Sequence, residues 1–404
     1  MIRFDNVTKA YPDGTVAVDR LSLEAPTGKI TVLVGPSGCG KTTSMRMVNR
    51  LIEPTSGTIT LGGQPVSGTD ATELRRKIGY VIQHAGLFPH KNVADNVMAL
   101  PRLLGLGRRE ARTRALELLE RVGLGPQFAD RYPWQLSGGQ QQRVGVARAL
   151  AADPPYLLMD EPFSAVDPVV RAQLQEEFLR LQREIGKTIV LVTHDIDEAL
   201  KLGDQVAVLR EGGRLAQAAA PAELLARPAD AFVAGFVGRD RGYRALGFAG
   251  TGDGVIPAAE PAVVLGATRA EAEAAALDGW ILVTAPGGEP VGWAALDRLD
   301  GDRVTEQDLN LSATTARTDG TLRELLDAAL SSPSGRGVLV DAEGHLAGTV
   351  SPTAVARAIE EAASVTAPAG AIAGSAVESA AGATAGSVEH AAGSAVEAPA
   401  GSHL

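Results

Sequence analysis

Residues 35–43 read GPSGCGKTT. Three glycines, the chain's only cysteine and a lysine crowd into one turn. KITVLV precedes the turn and TSMRMVNRLI follows it. The turn therefore joins a buried strand to a helix, which is the setting a phosphate-binding loop requires. Glycines at 35, 38 and 40 let backbone N–H groups face an anion closely. The helix start adds partial positive charge. Lys41 is spaced to reach β- and γ-phosphates, and the Thr42 hydroxyl to ligate Mg²⁺. Cys39 has two readings here, a small filler or a redox-sensitive thiol. Under either, a bulky adduct on it would block nucleotide.

Three further stretches carry chemistry. YLLMDE at 156–161 is an apolar strand ending in two carboxylates, which needs a reason because burying the second is costly. Asp160 is suited to a Mg²⁺ shell and Glu161 to polarising an attacking water; the plain alternative is a solvated pair at a strand end. TIVLVTHD at 188–195 puts His194 at the end of another apolar strand. QLSGGQQQRVGVARAL at 135–150 offers Ser137 as the cap of a helix opened by two glycines. That is a second anion-receiving helix end. It lies far along the chain from the first, and the residues alone do not say that the two serve one phosphate.

The chain has 404 residues, enough for two or three domains with a sizeable core. Its net charge of −10 argues against a nucleic-acid partner. A single cysteine excludes an intrachain disulfide and fits a reducing compartment. Neither a bilayer-spanning run of large apolar residues nor a signal-peptide core is legible. A cytoplasmic protein able to dock on a membrane protein is the expectation.

Residues 1–240 alternate apolar strands (IRFDNV, KITVLVG, IGYVIQ, YLLMDE, TIVLVTH, QVAVLR) with helical patterns (TSMRMVNRLI, TRALELLERV, QQQRVGVARAL, RAQLQEEFLRLQRE). This predicts an α/β fold with a sheet covered on both faces. Between Gln83 and Ser137 the pattern is helical, as in an inserted subdomain. Residues 241–257 read as a linker around GFAGTGDG, and 258–362 as a smaller α+β module. Within it GWILVTAPGGEPVG is echoed roughly 57 residues later by GVLVDAEGHLAG, a period long enough for one supersecondary unit. Thr321 and Glu324 offer a capping box ahead of Leu322, Leu325, Leu326 and Ala329 on one helical face. Residues 363–404, almost all Ala, Gly, Ser, Val and Glu, read as a disordered tail.

In this order GPSGCGKTT, Gln83, LSGGQ, LLMDE, SAVD and His194 resemble the ATP-binding cassettes of ABC transporters, over roughly residues 1–240. The resemblance implies a P-loop NTPase with a RecA-like core, an antiparallel β subdomain and a helical subdomain at about 88–150. It implies an ATPase that works as a head-to-tail dimer, the LSGGQ helix of one chain closing over nucleotide held by the other. Carried over residue by residue, Tyr11 would stack on adenine, or else only pack its hairpin. Gly35, Pro36, Ser37, Gly38, Cys39, Gly40, Lys41, Thr42 and Thr43 would bind phosphates. Gln83 would contact Mg²⁺ and water and couple the site to the membrane partner. Ser137, Gly138, Gly139 and Gln140 would serve the opposite nucleotide. Asp160 takes the metal role, Glu161 the base role, Asp167 the dimer interface and His194 the γ-phosphate.

A narrower resemblance is carried by SMRMVNRLIEPTSGTITLGG, VIQHAGLFPHKNVADNV, DEPFSAVDPVVRAQLQ and FVGRDRGYRAL, which are similar to cassettes of osmoprotectant importers for glycine betaine, carnitine, choline or proline. GVLVDAEGHLAGTVSPTAV resembles a CBS motif, with a degenerate partner at 279–297. It departs from nucleotide-binding CBS units, since Ala354 stands where an Asp would follow Ser351. The implied partners are a second cassette chain, transmembrane permease subunits and, indirectly, a solute-binding protein, at the cytoplasmic face of the membrane. The alternatives are an importer of another small solute such as an amino acid, and a non-transport ABC ATPase.

Overall fold

A computed structural model describes residues 1–82, 86–164, 166–251 and 255–366, with side chains to 362. Gln83 and nearly all of the expected tail lie outside the described residues. In chain order the first strands are Ile2–Ala10 (β1), Val16–Ala25 (β2), Ile30–Val34 (β3), Ser56–Leu61 (β4), Gln64–Pro65 (β5), Ile78–Val81 (β6), Tyr156–Asp160 (β7), Thr188–Val192 (β8), Gln205–Arg210 (β9) and Arg214–Ala219 (β10). The helices between and after them are Lys41–Val48 (α1), Ala71–Arg76 (α2), Val93–Leu103 (α3), Arg108–Arg121 (α4), Gly138–Leu150 (α5), Pro168–Ile185 (α6), Ile196–Leu202 (α7), Pro221–Ala226 (α8), Ala231–Phe236 (α9) and Arg241–Ala245 (α10).

Six strands form one sheet in the order β10-β9-β3-β8-β7-β6, parallel except at the β10 edge. Every residue of β3 and β8 is buried. Along β3, Ile30, Val32 and Val34 face one apolar cluster, and Leu33 faces the other. A strand buried on both faces has no polar side to show, which is why ITVLV reads as an unbroken apolar run. In this parallel sheet the C-terminal ends of β3, β7 and β8 share one edge, and the sequence-read motifs follow each of them. That edge is where open α/β sheets receive ligands.

A second, antiparallel sheet in the order β2-β1-β4-β5 packs beside the first. The sequence reading took β1 but not β2 or β4. The burial of β2 nevertheless alternates over its second half, as a strand with one wet face must. Helix α1 is shorter than the sequence reading had it. It stops at Val48 because Arg50 takes φ 55° and the Asn49 side chain accepts from Leu51 N at 3.2 Å. The helical insertion is α3, α4 and the start of α5, with no strand among its described residues.

The C-terminal part contains Ala262–Val264 (β11), Arg269–Ala275 (α11), Trp280–Thr284 (β12), Pro290–Ala295 (β13), Leu309–Asn310 (β14), Thr315–Arg317 (β15), Leu322–Ser331 (α12), Gly337–Val340 (β16), Leu346–Val350 (β17) and Pro352–Thr366 (α13). The sequence echo is a structural repeat. β11-α11-β12-β13 and β15-α12-β16-β17 each place a parallel first strand beside an antiparallel hairpin. Both hairpins carry an irregularity at matching places, beside Gly292 and Gly348. The two units meet through Leu282, Trp293 and Val338. Their polar clamp is Glu260, whose side chain is 2% exposed. It accepts from Arg336 Nε and Thr349 Oγ1, each at 3.0 Å, while Arg336 covers the Trp293 ring at 5.1 Å. Thr321 and Glu324 form the capping box read from the sequence, with Glu324 Oε2 accepting from Thr321 N at 2.8 Å.

Candidate functional site

The turn after β3 wraps into a cradle that only glycine permits at two places. A Cβ on Gly35 would lie 2.3 Å from Leu209 O, and one on Gly40 2.2 Å from Ala17 O. Gly40 also has φ 87°, left-handed, immediately ahead of α1. Lys41 is buried and folds back over the loop, donating from Nζ to Gly35 O at 2.8 Å and Pro36 O at 2.9 Å. Cys39 is fully buried, with its sulfur 3.7 Å from Lys41 Nζ. Burial pushes its thiol up, the nearby lysine only partly offsetting this. That favours the filler reading over a reactive thiol.

The ends of β7 and β8 supply two carboxylates and a histidine, of which Glu161 and His194 line one cavity with the loop. Asp160 is buried, and its Oδ1 accepts from Thr42 Oγ1 at 3.1 Å. Burial pushes its carboxyl above the usual range, against the Thr42 hydrogen bond and the charge of Arg46. Glu161 takes φ 45°, a left-handed conformation costing a non-glycine residue about 1–2 kcal/mol. Backbone bonds hold it there: its N donates to Val192 O at 2.9 Å, and its carbonyl accepts from Ser164 Oγ at 3.0 Å and Ser164 N at 3.3 Å. Strain of this kind gathers at functional sites. Glu161 Oε2 stands 3.2 Å from His194 Nδ1. A cavity of about 330 Å³ is lined by Ala17, the loop residues 37–43, Glu161 and His194.

The remaining sequence-read residues lie elsewhere. Tyr11 is in the turn between β1 and β2, its N–H donating to Thr15 O and its ring under Lys9 Nζ at 5.3 Å. Ser137 caps α5 in a reciprocal capping box with Gln140, at 3.3 and 3.0 Å. Gly138, Gly139 and Gln140 form the first turn of α5, and none of 137–140 lines the cavity. Gly139 is pressed against Val170 and Leu174 of α6. Asp167 caps α6, its Oδ1 accepting from Val169 N at 3.0 Å. Sequence reasoning missed Ala17, which walls the cavity from β2. It also missed Glu198, buried on α7, which accepts from Thr193 Oγ1 beside His194. THDIDEAL carries the signal for Glu198, an acid three positions past the N-cap Asp195, but its burial is a tertiary fact.

A strand–glycine turn–helix cradle, a hydroxyl–carboxylate pair beside it and a glutamate–histidine pair across it define a phosphate-loop nucleotide-binding protein. The ABC transporter family model matches residues 18–164. The chain is 52% identical over 258 residues to the osmoprotectant import ATP-binding protein OsmV of Salmonella typhimurium, covering 63% of this chain and 67% of that one. It is 52% identical over 241 residues to the glycine betaine/carnitine/choline transport ATP-binding protein OpuCA of Bacillus subtilis, covering 60% and 63%. It thus spans about two thirds of the length of these relatives. Its fold is similar to a dimeric post-hydrolysis structure of the ATP-binding cassette MJ0796 bound to ADP and Pi, at TM-score 0.50 and 35% identity, over 55% of this chain and 99% of that one. The chain belongs to the ABC transporter family of ATP-binding proteins. No helix among the described residues is long and apolar enough to cross a membrane.

Proposed function

We propose that the chain is the ATP-hydrolysing subunit of an importer for a quaternary-amine osmoprotectant of the glycine betaine, carnitine, choline or proline type. The observation that carries the hydrolytic reading is one cavity lined by loop residues 37–43, Glu161 and His194, with Asp160 hydrogen-bonded to Thr42 in its wall. Similarity to the named osmoprotectant transporters supports the solute class.

In this reading the loop residues 35–43 grip the phosphates, with Lys41 released from its two carbonyls to the β- and γ-phosphates. Thr42 Oγ1 and Asp160 would hold Mg²⁺, with Gln83 as a further contact. A buried carboxylate lifted by desolvation, facing a hydroxyl, fits a hard divalent cation. Bound there, the ion would offset charge on the phosphate oxygens. Glu161 accepts the proton of the attacking water, and His194 orients the γ-phosphate and steadies Glu161. Tyr11 stacks on the adenine. Ser137 to Gln140, remote from this cavity within one chain, serve the nucleotide of a second chain, and Asp167 lies at that contact. Closure of the two chains drives permease subunits that work with a solute-binding protein at the cytoplasmic face of the membrane. We further read the C-terminal repeat, 258–362, as a tandem CBS-like pair with a surface-electrostatic or purely structural role, since Ala354 stands where a nucleotide-binding unit has Asp. Ser351 Oγ there is used to cap, accepting from Ala354 N at 3.2 Å.

The test is uptake of labelled glycine betaine, carnitine, choline and proline at high osmolarity in cells lacking the gene, complemented with wild type or Glu161→Gln. Uptake of at least one of these with wild type, and of none with the variant, is expected. Wild-type uptake with the variant would remove Glu161 from its role. Uptake of an unrelated amino acid alone would replace the solute class.

A further inference from the structure

His194 does not stand alone at the end of β8; it is tied from both sides to the helix that follows. Asp195 caps α7, its Oδ1 accepting from Asp197 N at 2.8 Å and Glu198 N at 3.3 Å. Thr193, on the other side of His194, donates to Glu198, which Gln175 Nε2 also approaches at 3.4 Å. With the residues flanking it both bonded into a seven-residue helix, the imidazole moves when α7 moves.

The next element out holds α7 by a fork. Arg244 of α10 meets Asp197 through Nε–Oδ1 at 3.1 Å and Nη2–Oδ2 at 3.2 Å. Its side chain is only 15% exposed and is fixed further by Asp240 Oδ2 at 3.0 Å and Val237 O at 2.8 Å. One hydrogen bond and a second close ion contact, made from a guanidinium shared with Asp240, fix where Asp197 stands relative to α10. The neighbouring residue faces the other way. Tyr243 donates its hydroxyl to Asp327 on α12, and Arg323, one turn earlier on α12, lies over the Tyr243 ring at 4.7 Å. Backbone contacts reinforce the seam, Leu322 N donating to Ala249 O at 2.9 Å and Gly250 bridging Thr321. One short helix is thus wedged between the segment carrying His194 and the second C-terminal unit.

We propose that Arg244 is a positioning residue for His194, and that α10 transmits displacements of the C-terminal repeat to the nucleotide site. The proposal rests on the reading of His194 as the γ-phosphate contact. A shift of α12 pulls Tyr243, turns the adjacent guanidinium and loosens the fork on Asp197. The α7 segment then relaxes, and His194 loses its setting against Glu161. Misplacement of a reacting group by about 1 Å can cost up to ~100-fold in rate, so a small change at the seam has leverage on turnover without touching nucleotide binding.

The test uses the full chain. ATPase kinetics and hydrogen exchange of the nucleotide-free protein are measured for Arg244→Ala, Arg244→Lys, Asp327→Ala, the Arg244→Ala/Asp327→Ala double variant and His194→Ala. The expected kcat of Arg244→Ala is about ten-fold down with KM for ATP unchanged within about two-fold, Arg244→Lys falling between it and wild type. Asp327→Ala lowers kcat alone but adds nothing to Arg244→Ala, the non-additivity that coupling through one element requires. Amides at 193–202 exchange faster in both single variants. Additive effects of the two substitutions, or faster exchange confined to 241–251, would overturn the proposal. So would wild-type kcat in Arg244→Lys and Asp327→Ala beside an inactive His194→Ala. Wild-type kcat in His194→Ala would instead remove the reading of His194 and the rate effect with it, while the exchange data report independently on whether α7 is held by Arg244.

Discussion

Glu161 and Asp160 are adjacent in sequence and opposite in setting. Asp160 points into the sheet edge beside Thr42, while Glu161 turns out through a left-handed residue toward His194. Glu161 stands one residue past the end of β7, and its left-handed turn separates the two side chains; in the proposed reading Asp160 would take the metal place and Glu161 the water. Because burial raises Asp160 above its unfolded value, the folded protein holds that proton more tightly. Its stability cost is therefore absent below the unfolded carboxylate range and grows as pH rises through the folded value. Asp160→Asn is expected to raise the melting temperature of nucleotide-free protein by about 1–3 °C at pH 8. The gain should vanish near pH 4, and Mg²⁺-dependent ATP hydrolysis should be lost; scanning calorimetry across pH with a phosphate-release assay checks both. Gly40→Ala is expected to abolish nucleotide binding in isothermal titration, since its Cβ would have to displace the β2 backbone at Ala17. At this scale the sequence was highly legible for the glycines and the acids. Ala17 and Glu198 were not, because nothing local to an alanine or a helical glutamate records what folds against it.

Among the elements, those that are buried on both faces or carry caps announced themselves. β3, β7 and β8 are continuous apolar runs, and α12 opens with its capping box. Replacing the box's hydroxyl, Thr321→Ala, is expected to cost about 1 kcal/mol of the C-terminal part's stability, read from its denaturant midpoint. Within residues 1–245 the strands passed over are β2, β5 and β10 at sheet edges and the inner strand β4, with helices α2 and α7 to α10, while α3 lies in a stretch read only as helical. Their order in space depends on pairings from far along the chain, such as β1 inserted between β2 and β4, which no local period encodes. Helix α3 further hides behind Pro101 inside it. The seam through Arg244 belongs to this class: residues 241–257 read as a linker, and nothing local to RGYRAL records that Asp197 and Asp327 are brought to its two sides.

Taken as one molecule, the chain holds a complete phosphate cradle and a separate capped helix end that its own cavity does not use. Two such chains related by a two-fold axis would use both, each closing the other's nucleotide. The similar cassette MJ0796 is dimeric in its ADP- and Pi-bound structure. The internal repeat beyond residue 257 was legible as an echo in the sequence, but its link to α10 and α7 was not, because it runs through Tyr243–Asp327 and Arg244–Asp197, pairs 84 and 47 residues apart. The most direct measurement of the central claim is the mass of the Glu161→Gln chain by analytical ultracentrifugation with and without Mg²⁺-ATP, beside a Glu161→Gln/Ser137→Arg double variant. The account predicts a dimer for Glu161→Gln only when nucleotide is present, and a monomer for the double variant with ATP still bound. A Glu161→Gln chain that binds ATP and stays monomeric, or a dimer indifferent to Ser137→Arg, would contradict it.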